Sequence, residues 1–147
     1  MTRAANSGPV PVVVMGLGAI GREIVRASLQ SEEVTLVGAV DTHPALVGKR
    51  LDELGVPSPI KVDPVLRRGA GRGRRPVVLH ATGSSLPAVA EQLLAAVKDG
   101  HPVVSTCEEL AFPWVRHPQL AEQLERAAQR SGVSVLGTGV NLSLIHI

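Results

Sequence analysis

The sequence predicts an α/β fold built on a doubly wound parallel sheet. Three observations carry that prediction. Short Val-rich runs at residues 10–15, 34–40, 77–81, 102–105 and 133–136 alternate with longer stretches whose apolar residues recur at helical spacing. Runs of that length suit strands buried on both faces, as in a parallel sheet covered by helices. Glycine-rich or polar turns follow the runs, at residues 16–21, 82–85, 106–109 and 137–141, and in open α/β sheets ligands bind outside those carboxyl ends.

The chain is organised around residues 12–41, VVVMGLGAIGREIVRASLQSEEVTLVGAVD. A strand over 10–15 runs into Gly16-Leu17-Gly18-Ala19-Ile20-Gly21. Gly16 permits the tight turn out of the strand. Gly18, with no Cβ, lets a pyrophosphate approach the backbone, and Gly21 lets the following helix pack close to the strand. A helix over 19–30 begins there, with Ile20, Ile24 and Ala27 on one face. Its first N–H groups, at Ala19 and Ile20, and its dipole favour an anion. A second apolar run over 34–40, continuous enough for a central strand, ends at Asp41, roughly 20 residues past the last glycine. A carboxylate there accepts hydrogen bonds from the adenine-ribose hydroxyls. The glycines follow a strand, open a helix and are completed by the acid, so the context predicts a dinucleotide site.

Residues 45–54 read as a short helix weakened by Gly48 and ended by Gly55, and 60–62 as an edge strand. Residues 67–75, RRGAGRGRR, cannot build a core. No aromatic residue interleaves them, so they read as a solvated surface loop rather than a nucleic-acid contact. After the strand at 77–81, Ser84 or Ser85 is placed to cap a helix over 86–99. Leu86, Val89, Leu93 and Val97 share its buried face, and Gly100 closes it. Pro118 suits the first turn of a last helix, lined by Leu120, Leu124 and Ala128, that ends near Gly132.

A net charge of +2, with one Trp, one Phe and no Tyr, argues against nucleic acid as the partner. Cys107 is the only cysteine, which excludes an intrachain disulfide and fits a reducing cytoplasm. No secretory pattern or membrane-length apolar run is seen, so a cytoplasmic protein without a membrane partner is expected.

Glu108 and Glu109 are adjacent acids just after a strand, and one of them is expected to face the cleft, where a carboxylate can take or hold a proton. The other use of such an acid is to complement a helix N-terminus. His80 lies inside an apolar strand and reads as a packed core residue; His43, His101 and His117 lie in turns, none with metal-ligand spacing. No metal is expected. The flanking acids raise the Cys107 thiol, which is not read as a nucleophile.

The segments VVVMGLGAIGREI, VGAVDTHPALVGKRLDELG, VVLHATGSS, VVSTCEEL and GVN resemble the 2,4-diaminopentanoate dehydrogenases and related native amine dehydrogenases. More distantly they are similar to the N-terminal NAD(P)-binding domain of dihydrodipicolinate reductases. The resemblance covers residues 10–141. It implies a Rossmann fold and the reversible conversion of an amine and NAD(P)+ into a ketone, ammonia and NAD(P)H. It implies that Glu108 is the acid beside the reacting amine or imine, and that Thr82, Gly83, Ser84 and Asn141 join Gly16, Gly18, Ala19, Ile20, Gly21 and Asp41 around the cofactor. Asp41 favours NAD over NADP, because it repels a 2′-phosphate. The family continues into a substrate domain and a homodimer acting on small amines and ketones. Here Asn141 is followed by LSLIHI. Residues 1–141 are therefore expected to be the dinucleotide-binding domain, truncated before its substrate domain and inactive alone, and 142–147 a non-native tail. An exposed apolar surface is expected where the second domain packs. Two alternatives share the glycine motif: an imine reductase like the dihydrodipicolinate reductases, and a non-catalytic nucleotide-sensing domain. The second calls for a partner-binding module, and the sequence carries none.

Overall fold

The structure is a computed structural model that describes residues 8–67 and 74–139. Six parallel strands form one sheet in the order β3-β2-β1-β4-β5-β6. They are β1 Val10–Met15, β2 Val34–Val40, β3 Val62–Asp63, β4 Val77–His80, β5 Val103–Ser105 and β6 Val135–Gly137. The chain starts in the middle, winds outward through β2 and β3, returns to β4 beside β1, and winds outward the other way. This is the doubly wound Rossmann order, with the reversal between β1 and β4.

Alternation along β1 explains how both faces are filled. Val12 and Val14 join Leu17, Val25, Leu36 and Leu51 in a core on one face. Val13 and Met15 join Val78, Leu93, Val97, Val103 and Leu124 on the other. The first core lies under helix α1, Ala19–Gln30, and the second under α2, Leu86–Lys98, and α3, Pro118–Ser131. The predicted α2 face is buried throughout, and Gly100 takes the left-handed conformation (φ +84°) that ends the helix.

Several elements differ from expectation. The buried stripe of α1 is Gly21, Val25 and Ser28; Ile20 and Ile24 are half-buried and Ala27 is exposed. The close approach at Gly21 rotates the helix so that the positions beside Ile24 and Ala27 face the sheet. Strand β2 is second from the edge, not central. Its register with β1 slips, so that Val12 pairs Leu36 and Val13 pairs Gly38, and the skipped Val37 is 46% exposed. Residues 45–54 form no α-helix. Gly48 N–H donates to Val62 O and Leu51 N–H to Ile60 O, so the segment spends its backbone groups on the edge strand, and only Leu51–Leu54 forms a 3-10 helix, closed by Gly55 at φ +83°. His101, just after α2, is buried, with Nδ1 2.9 Å from Pro76 O. Phe112, Trp114, Val115 and Leu136 are exposed near β6. Among the described residues, no helix is long and apolar enough to cross a membrane. Of the 67–75 loop, residues 68–73 lie outside the described residues, as do Asn141 and the 142–147 tail.

Candidate dinucleotide site

The carboxyl ends of the strands continue the parallel ladder beyond the strands themselves. Gly16 N–H donates to Val40 O, Asp41 N–H to Asp63 O, Ala81 N–H to Met15 O, Thr106 N–H to His80 O and Thr138 N–H to Ser105 O. These bonds bring the turns after β1, β2, β4, β5 and β6 to one edge of the sheet. A cleft of about 500 Å³ opens there, at the reversal of strand order. It is lined by the turn Gly16–Gly18, Asp41, residues 64–66 and Thr82, with Gln92, Ala95 and Ala96 of α2 and Asp99 just past its end.

The glycines are held by space. Gly16 stands at φ +96°, and a Cβ there would lie 2.6 Å from Ala81 O. A Cβ on Gly21 would lie 1.7 Å from Gly16 O. Nothing lies within 4 Å of the Cβ position of Gly18, which is exposed as the residue before α1. That opening fits a diphosphate against the backbone at a helix N-terminus. Arg22 folds back from α1, its Nε donating to Leu17 O at 3.0 Å. Asp41 ties the glycine turn to β2. Its Oδ2 accepts from Leu17 N–H and its Oδ1 from His43 N–H, each at 2.8 Å. A carboxylate has about four acceptor positions, so room for two ribose hydroxyls remains. Arg67, at the start of the arginine loop, pairs with Asp63 at 2.9 Å.

The cleft thus unites Gly16, Gly18, Asp41 and Thr82 among the anticipated residues. Ala19, Ile20 and Gly21 open α1 and, like Gly83, Ser84 and Glu108, do not line the cleft. The two acids of the 3-10 helix Glu108–Leu110 have different surroundings. Glu108 is exposed. Glu109 Oε2 accepts the Leu86 N–H at 2.8 Å and faces His117 Nε2 at 2.8 Å. That Leu86 bond holds the Glu109 carboxyl below its usual range; His117 and Arg116 act in the same direction and desolvation acts against them. Glu109 therefore caps α2. Ser85 occupies the cap position without a side-chain bond, which corrects the expected serine cap.

His80 is more than a packed core residue. Its Nδ1 is 2.8 Å from Ser105 Oγ, and its Nε2 is 2.7 Å from Thr82 Oγ1 and 3.0 Å from Gln92 Oε1. Burial lowers its pKa, opposed by the bond to Gln92. Cys107 is raised chiefly by its own burial, and the flanking acids contribute least. Nothing in the α2 pattern beyond a polar position marked Gln92 in the sequence; its partner Thr82 lies 10 residues away. Among the described residues no cluster of His, Cys, Asp or Glu could hold a metal ion.

No family model matches the chain. Over 141 residues, 92% of its length, it is 33% identical to the 2,4-diaminopentanoate dehydrogenase of Acetoanaerobium sticklandii. The chain is a relative of the 2,4-diaminopentanoate dehydrogenases. It is also 34% identical, over 111 residues and 69% of its length, to the 4-hydroxy-tetrahydrodipicolinate reductase of Mastigocladus laminosus. Its fold superposes on an amine dehydrogenase from Mycobacterium smegmatis with a TM-score of 0.77, at 29% identity over 90% of the chain. The chain spans about two fifths of each of these proteins: 39%, 40% and 40%. The matched segment contains the glycine turn, Asp41, the Thr82 turn and the acids after β5 in one Rossmann domain.

Proposed function

We propose that the chain is the cofactor-binding domain of an NAD(P)-dependent amine dehydrogenase, which converts an amine reversibly to a ketone and ammonia. The observation that carries this proposal is the open space at Gly18, at the head of α1 and beside the Asp41 carboxylate. A bound nicotinamide would supply hydride acceptance and donation. The chain's own groups would do the rest. N–H groups at the start of α1 bind the diphosphate. Asp41 orients the adenine ribose and disfavours a 2′-phosphate, so NAD is the preferred cofactor over NADP. The cap role of Glu109 leaves Glu108 as the acid that takes or holds the proton of the amine. The proposed whole enzyme is a cytoplasmic homodimer acting on a small amine or ketone.

The test is a chimera in which this chain replaces the matched segment of the Acetoanaerobium enzyme. Amine-dependent reduction of NAD+, lost in the Glu108→Gln form while NAD+ binding persists, is the expected result. A folded chimera that binds NAD+ yet oxidises no amine, at any activity above the Glu108→Gln form, contradicts it.

A further inference from the structure

We propose that Gln92, held from beneath by His80, is a dinucleotide-binding residue that donates its side-chain amide N–H groups to the diphosphate or ribose of the cofactor; this rests on the dinucleotide site proposed above. The orientation of the Gln92 amide follows from a chain of bonds that starts with a group able only to donate. Cys107 N–H donates to Ser105 Oγ at 3.0 Å. Ser105 is fully buried, so its own hydrogen needs an acceptor, and His80 Nδ1 stands 2.8 Å away. With Nδ1 accepting, a neutral His80 carries its hydrogen on Nε2. That N–H points at Gln92 Oε1 and Thr82 Oγ1, and the Thr82 hydroxyl donates to the same Gln92 Oε1 at 2.6 Å. The Gln92 carbonyl is saturated from below. Its NH2 group is the end left for the cleft that Gln92 lines.

The chemistry of that end selects its ligand. Two neutral donors suit phosphate oxygens and ribose hydroxyls. The small Ala95 and Ala96, farther along the same wall, leave room for the ligand to approach. His80 is thus a positioning residue. It also joins the cleft wall to the turn that carries Glu108, through Ser105 and Cys107.

The test is calorimetric titration of the full chain with NAD+, using Gln92→Glu, Gln92→Leu, His80→Asn, the His80→Asn/Gln92→Leu double variant and Asp41→Ala. Gln92 is on the surface of α2, so its variants keep the fold and carry the test even if His80→Asn does not. Gln92→Glu, which removes the donors and adds a negative charge, is expected to weaken binding at least roughly tenfold. His80→Asn is expected to weaken binding in the parent and to have no further effect in the Gln92→Leu background, whereas a purely structural role would give additive losses. Gln92→Glu binding within about twofold of the parent while Asp41→Ala binds poorly would overturn the role of Gln92 and leave the dinucleotide site standing. A folded parent that binds neither NAD+ nor NADP+ would overturn both.

Discussion

At the residue scale, the glycine turn is limited first by contacts within itself. Gly21 is the strictest position. The carbonyl oxygen that a Cβ would strike, 1.7 Å away, belongs to the turn itself. Gly21→Ala is expected to lower stability by more than about 3 kcal/mol in urea titration followed by circular dichroism. Gly18→Ala meets open space; it should keep the fold and weaken only nucleotide binding. His80 was legible as buried but not as bonded, because Ser105 is 25 residues away in sequence. Its lowered pKa has a signed consequence. The unfolded chain protonates below the ordinary value of 6.5 before the folded one does. The stabilisation is complete above 6.5 and is lost as pH falls toward the lowered folded value. Thermal denaturation should therefore show stability declining as pH falls below 6.5, and the part due to His80 should vanish in His80→Asn.

At the element scale, the extents of α1 and α2 run nearly as anticipated, but periodicity placed the buried face correctly only in α2. What periodicity missed was local competition for backbone groups. Within 45–54, Gly48 and Leu51 donate to Val62 O and Ile60 O rather than to the carbonyls four residues back. The N-terminus of α2 takes its cap from Glu109, 23 residues away, so no capping pattern near Ser85 could reveal it. Glu109→Gln is expected to lower the melting temperature near neutral pH. The Glu109 contribution is present above the ordinary 4.5 and disappears as pH falls through its lowered folded value, so the difference between variant and parent should close in acid. Leu93, with no exposed surface in the core between α2 and the sheet, gives the packing measure. Leu93→Ala should cost about 2–5 kcal/mol.

At the scale of the whole molecule, the alternation of strands and helices was enough to place every glycine-rich or polar turn at one sheet edge, because crossovers between parallel strands are right-handed and short connections leave few topologies. That Glu109 is the acid that caps α2 was not legible, since it depends on how α2 meets the turn after β5. A chain of hydrogen bonds runs from Cys107 through Ser105 and His80 to Thr82 and Gln92 at the cleft. The most direct measurement on the central claim is a calorimetric titration of the folded chain with NAD+ and with NADP+, repeated on Asp41→Ala. Saturable NAD+ binding, tighter than NADP+ and weakened roughly tenfold or more by the substitution, is the predicted result. A folded chain that binds neither nucleotide, or that binds NAD+ unchanged without the Asp41 carboxylate, would contradict it.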